Sequence, residues 1–364
     1  MSISKGRAIG AALVIGAAAA TGAARADEPG MTIYGLIDTG LATTTHTGDG
    51  TQRSTGFVDN ILGVSNVGFK GTRDLGGGVQ GFFNLQAGFN PTSGQEFNDG
   101  ILFSRNAYVG VQGSMGKISV GKQWDLNDDW LVGSVFLAGY NAGAIFKFSE
   151  FDAVSELYNN TIKYVTPTFG GVQAGALLSM RGKAGDSKSG RVENIGAKYG
   201  DGPFYAGITY YHEDDLGNNE DDSRGSYQLT TAAAKYSLSQ FVFRAGVSFA
   251  SISGAGDFQY IPAMPAHKAQ AYEVGVDCSF TSNFKGTAEL LYRKNSTFDN
   301  HTTGMRLLGV YTLTPQAALL VNVAYLKNAG GATESLFNTD SGEPGGGYAN
   351  QNQTSVAFGA QYSF

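Results

Sequence analysis

Apolar and polar residues take turns along this chain from near Thr32 to the C-terminus. Successive side chains of a β-strand point to opposite faces, so a period of two assigns each residue to one face or the other. In Phe241, Phe243, Ala245, Val247 and Phe249 the interleaved positions carry Arg244 and Ser248; in Tyr272, Val274, Val276, Cys278 and Phe280 they carry Glu273, Asp277 and Ser279. Another run sets Phe284, Ala288, Leu290 and Tyr292 against Lys285, Thr287, Glu289 and Arg293, and another sets Val172, Ala174, Ala176 and Leu178 against Gln173, Ser179 and Arg181. Sixteen such runs begin near Thr32, Leu62, Val79, Leu102, Lys117, Tyr158, Val172, Val192, Phe204, Tyr227, Phe241, Lys268, Phe284, Thr303, Gln316 and Gln353. The pattern dictates an all-β wall with one greasy face and one wet face.

The connections between runs alternate in length. Short ones carry turn chemistry: Asp74 to Gly78, Gly113 to Gly116, Phe169 to Gly171, Gly200 to Pro203, Thr281 to Asn283, Thr314-Pro315. Long ones are polar or glycine-rich: Thr47 to Asn60, Asn90 to Ile101, Asp125 to Leu157, Asp214 to Gly225, Gly254 to His267, Ala329 to Asn352. An even number of antiparallel strands joined this way is an up-and-down outer-membrane barrel, with tight turns on the periplasmic side and long loops outside. Lipid cannot hydrogen-bond an open sheet edge, so such a sheet must close. A β-sandwich would bury the apolar face as well, but its Greek-key connections give no reason for strict long-short alternation. The expectation is a 16-stranded antiparallel transmembrane β-barrel over residues 27–364, wide enough to hold water. Composition agrees: 53 glycines, 18 tyrosines, 23 phenylalanines and a mean hydropathy of −0.14 are too polar for a helical membrane protein and too aromatic for a disordered chain.

Residues 1–26 read as a secretory signal peptide. Lys5 and Arg7 precede an Ala/Gly/Ile/Val run from Ala8 to Ala20, and Ala24-Arg25-Ala26 offers a small-x-small cleavage site before Asp27. The run is too short and too rich in alanine and glycine for a spanning helix. Its removal takes three cations from a chain whose formal charge is already −6, which makes the protein a poor partner for nucleic acid. Cys278 is the only cysteine, so no internal disulfide is available.

Asp125 to Leu157 is the longest stretch that does not read as a strand. It sets Asp125, Asp128 and Asp129 at one end and Glu150, Asp152 and Glu156 at the other, with an apolar, glycine-broken middle. Long insertions of this kind in compact domains are usually functional. Residues 125–157 are expected to fold into the lumen as a constriction loop; a buried helix from Trp130 to Tyr140 is the alternative on local pattern.

Several motifs then carry a resemblance. Met31 to Gly40 (MTIYGLIDTG), Gly68 to Gly78 (GFKGTRDLGGG), Arg105 to Gly110 (RNAYVG), Asn159 to Pro167 (NNTIKYVTP), and a C-terminus with Phe358, Tyr362 and Phe364 on one parity resemble the trimeric general-diffusion porins of Gram-negative bacteria, especially the proteobacterial branch. The resemblance spans essentially the whole chain after the signal. It implies a homotrimer in outer-membrane lipid and lipopolysaccharide, with the third external loop bent into the lumen and its acids facing a basic ladder. By motif, Arg105 matches a ladder arginine, and Lys70 shares its inward parity. Asn66 stands where many relatives have arginine, Glu156-Leu157 likewise, and the usual Pro-Glu-Phe-Gly-Gly run of the loop is missing. Fewer wall cations against the loop acids lead to the expectation of a weakly cation-selective pore for ions and small hydrophilic solutes. The alternative is a solute-specific channel for a sugar or organic anion; Phe82, Tyr205 and Tyr211 are inward on parity but scattered along the chain.

Neither catalysis nor a cofactor is indicated. His46, His212, His267 and His301 fall at loop ends without metal-ligand spacing, and a barrel hydrolase would need serine, histidine and a carboxylate or amide on adjacent lipid-facing strands. Glu213 to Asp215 and Glu220 to Asp222 read as solvated acids or as divalent-ion bridges to lipopolysaccharide. Gly76 to Gly78 lacks the following helix that a phosphate cradle requires. Lys122 points outward on parity, where it would meet Glu96 or Asp99 of a neighbouring subunit or reach headgroups. Cys278 faces lipid as a small hydrophobe.

Overall fold

The computed structural model describes residues 30–47, 50–132, 134–135, 157–180, 188–214, 225–254, 266–336 and 349–364. The signal segment 1–26 lies outside them, as do 136–156 with Glu150, Asp152 and Glu156. The strands are β1 (Met31–Thr47), β2 (Gln52–Asp59), β3 (Asn66–Gly76), β4 (Val79–Gly88), β5 (Ala107–Gly113), β6 (Gly116–Trp124), β7 (Leu157–Val165), β8 (Val172–Ser179), β9 (Val192–Asp201), β10 (Phe204–Asp214), β11 (Ser226–Leu238), β12 (Phe241–Ser253), β13 (His267–Ser279), β14 (Phe284–Asn295), β15 (Asn300–Thr314), β16 (Ala317–Ala329) and β17 (Asn352–Ser363). All pair antiparallel, and β1 closes the sheet against β17 from Leu36↔Ser363 to Thr44↔Ser355.

β2 and β3 are two halves of one stave. β2 pairs with Thr39–Thr47 of β1 and β3 with Met31–Leu36 of the same strand, so the seventeen segments make a closed 16-stranded antiparallel barrel. Between the halves, residues 60–65 leave the sheet and fold inward, and Asp38 supplies the acceptors that the ladder no longer provides. Its carboxylate accepts the N–H groups of Ile61 (3.0 Å), Leu62 (2.8 Å) and Gly63 (3.0 Å) and the amide of Gln361 (3.1 Å). Two sequence expectations are corrected here. The first outer connection is not the long loop Thr47 to Asn60, because Gln52–Asp59 is already strand. The fourth run begins at Ala107 rather than Leu102. A residue-by-residue period cannot register a break that a distant carboxylate stabilises.

The wall has the two faces that the alternation requires. Ile33, Leu41, Phe57, Val109, Leu290 and Phe358 are exposed on the outside, as expected of a surface made for hydrocarbon. The interleaved positions turn into the lumen and are polar, among them Asn194, Thr231, Ser248, Asn322 and Ser355. At the Asp74–Val79 turn, Gly76, Gly77 and Gly78 all have positive φ (86°, 62° and 77°), a conformation that side chains other than glycine rarely adopt.

Candidate functional site

After Trp124 the chain turns into the lumen. Asp125 is fully buried; its Oδ1 accepts the Asp128 N–H at 2.8 Å and opens a single π-helical turn, Asp128–Val132. Of the alternative helix from Trp130 to Tyr140, residues 133 and 136–140 lie outside the described residues; Val135 N–H donates to the Leu131 carbonyl at 2.7 Å. Burial pushes the Asp125 carboxyl well above the usual carboxylate range, against the smaller opposing pull of the Asp128 N–H.

The first residues of the loop are tied to the inner wall strand by strand. Leu126 N–H donates to Asn194 Oδ1 on β9 (2.7 Å), Thr209 on β10 to Asn127 Oδ1 (3.1 Å), and Tyr205 on β10 to the Trp130 carbonyl (2.6 Å). Lys235 on β11 donates to the Ser134 carbonyl (2.7 Å) and Arg244 on β12 to that of Val135 (3.2 Å). Trp130 and Leu131 seat on a floor of glycines. A Cβ at Gly175 or Gly196 would come within 2.9 or 3.1 Å of the Trp130 ring, and one at Gly207 within 2.7 Å of Leu131. These three glycines occupy inward positions of β8, β9 and β10, so the loop can approach the wall only because no side chains stand there.

The charges anticipated from sequence divide as follows. Asp129 forms a 2.7 Å ion pair with Lys163 on β7, which also donates to the Trp124 carbonyl (2.8 Å). Asp128 sits beside it in the first turn. Lys70 faces the lumen on β3 with its ammonium 4.8 Å from the centre of the Tyr34 ring. Arg105 precedes β5, and its guanidinium lies 5.0 Å over Trp124, at the root of the loop. Asn66 joins a neutral chain of amides running from β3 across β4 to the residue before β5: Gln86 Nε2 donates to Asn66 Oδ1 (2.9 Å) and Asn106 Nδ2 to Gln86 Oε1 (2.8 Å). Lys122 bonds within its own chain, donating to the Leu157 carbonyl and to Asn159 Oδ1, both at 3.2 Å.

The larger finding concerns cations that were not singled out. Lys117 on β6, Lys163 on β7, Lys198 on β9, Lys235 on β11, Arg244 on β12 and Lys285 on β14 all occupy inward parity, and Lys70 on β3 extends the series. All but Lys70 lie within three residues of the strand end at a short turn. Three acids face this series among the described residues, Asp74, Asp129 and Asp277, and the last two are already engaged. Asp129 holds Lys163, and Asp277 holds Arg244 and Lys285, the latter at 2.8 Å. Elsewhere in the lumen charges compensate one another, Arg306 with Glu289 (3.8 Å) and Arg293 with Glu334 (3.2 Å). A cavity of about 800 Å³ opens at the turn end of β3 to β9, between this wall and the loop, and Lys117, Lys163, Lys198, Asp74 and Asp129 line it with Tyr108, Trp124 and Trp130. Applying the alternation to every run and summing the inward charges is the signal that would have found these lysines.

A closed barrel with an apolar outside, a polar charged inside and a loop bent into the lumen defines a channel across an outer membrane. The chain belongs to the Gram-negative porin family, whose model matches residues 11–331. It is 26% identical over 353 residues to an outer membrane porin protein of Bordetella pertussis, covering 83% of this chain and 90% of that one. It is 25% identical over 362 residues to outer membrane porin protein 32 of Delftia acidovorans (93% and 95%). Among solved structures, the anion-selective porin from Comamonas acidovorans superposes with a TM-score of 0.80 at 22% identity, covering 93% of this chain and all of that one. The trimer form of OmpT from Vibrio cholerae gives 0.68 at 15% identity, covering 93% of this chain and 100% of that one.

Proposed function

We propose that this porin passes small hydrophilic solutes and ions by passive diffusion and favours anions, opposite in sign to the cation preference that the loop acids alone suggest. The observation that carries the reading is the row of seven inward cations that, among the described residues, outnumber the facing acids Asp74, Asp129 and Asp277, the last two already ion-paired. Of the three acids at the start of the loop, Asp125 is buried with its carboxyl raised above the usual range by desolvation, and Asp129 is ion-paired with Lys163. Excess positive charge on a low-dielectric wall raises the local concentration of anions and lowers that of cations. The anion selectivity named for the Comamonas acidovorans porin has the same sign.

The channel works without catalysis or cofactor, as a homotrimer in lipid and lipopolysaccharide, after export under a signal cleaved before Asp27. The trimeric form recorded for a porin of similar fold supports the assembly. Reversal potentials of the purified protein in planar bilayers under a KCl gradient test the sign. Chloride preference is expected, and a clear potassium preference overturns the reading.

A further inference from the structure

We propose that the cavity between the loop and strands β3 to β9 is a binding subsite for small aromatic carboxylates, so that the channel holds such solutes in passage as well as conducting them. The inference rests on the anion preference above and adds the chemical class of the solute. Two sets of groups meet in the cavity. The first is cationic: Lys117, Lys163 and Lys198 line it together, outnumbering the acids there, Asp74 and the Lys163-bound Asp129. Among the described residues, Lys117 and Lys198 make no hydrogen bond or close ion pair, and Asp129 acts on both only at longer range. Their recorded contacts are with ring faces, Lys117 at 4.5 Å from the centre of Phe82 and Lys198 at 5.3 Å from that of Trp130. A ring face offsets part of the charge but accepts no N–H, so each ammonium keeps its donors for whatever enters the cavity.

The second set is flat and apolar. Tyr108, Trp124 and Trp130 border the same space, and Trp130 is fixed by its glycine seat and by the Tyr205 hydroxyl on its carbonyl. Inorganic anions use only the ammonium groups, and neutral sugars only the rings and neighbouring amides. A carboxylate on an aromatic ring uses both, accepting from Lys117 and Lys198 while its ring lies against rigid aromatic walls. About 800 Å³ is ample for one such molecule with water beside it.

The test is single-channel conductance of the purified trimer in KCl with benzoate added, compared with acetate (charge without ring) and benzyl alcohol (ring without charge). Benzoate is expected to produce resolved blocking events at a midpoint concentration about tenfold below that of acetate, with none from benzyl alcohol. K117Q/K198Q is expected to weaken the benzoate block at least about fivefold while the channel still inserts and conducts. Equal midpoints for benzoate and acetate in a channel that prefers chloride overturn this inference and leave the anion reading standing. Potassium preference in plain KCl overturns the anion reading itself, and a benzoate block unchanged in K117Q/K198Q overturns the assignment of the subsite.

Discussion

Neutralising Lys117 and Lys198 together probes the lumen field most directly, because among the described residues neither side chain is held in a hydrogen bond or close ion pair, each lying over a ring face. A permeating ion near the middle of the cavity passes on the order of 8 Å from each ammonium, where one unit charge in water is worth about 0.5 kcal/mol before screening. At about 0.15 M salt the Debye length is also roughly 8 Å, which leaves about 0.2 kcal/mol per charge. Losing two charges then removes about 0.4 kcal/mol, close to a twofold fall in local anion concentration with a matching rise for cations. K117Q/K198Q should lower the chloride-to-potassium permeability ratio by about fourfold. At about 0.01 M salt, where the Debye length is near 30 Å, the same arithmetic leaves roughly 0.8 kcal/mol and a change of more than tenfold. Reversal potentials at both salt levels, with conductance confirming a folded channel, supply the measurement. An unchanged ratio at low salt, or one that grows with added salt, would refute the view that these two lysines set the field.

Two further predictions concern stability. Burial raises the Asp125 carboxyl above its ordinary value in the folded protein, so the folded state binds that proton more tightly than the unfolded chain. Stability contributed at this site is full at acid pH and declines as pH rises from the ordinary carboxylate value toward the raised one, by at most about 1.4 kcal/mol per pH unit. Asp125→Asn should therefore gain on the parent in thermal unfolding temperature as pH rises from 4 upward, and a difference that is flat or shrinks with pH counts against it. Asp38→Ala leaves the Ile61, Leu62 and Gly63 N–H groups without their acceptor, at about 1–3 kcal/mol for each that water cannot reach. The variant should lose the folded band on semi-native gels at a lower temperature than the parent; equal heat resistance would mean that the inward fold at 60–65 stands without Asp38.

Much of this protein is determined locally and can be read without coordinates. Alternation along Phe241 to Phe249 and Tyr272 to Phe280 assigns faces because strand geometry sends neighbours to opposite sides whatever the rest of the chain does. Most strands begin within a few residues of where that period places them. The aromatic C-terminus and the short glycine turns belong to the same legible layer. Closure, opposition and compensation depend on which strands end up side by side and what lies across the lumen. Lys163 meets Asp129 across 34 residues, Lys235 reaches Ser134 across 101, and Asp38 supports a break in a stave 23 to 25 residues away. No local pattern carries such information. The sequence thus establishes a water-filled cylinder with a loop available to narrow it, whereas the sign of the field inside depends on which charges cancel, and cancellation is a property of three-dimensional distance.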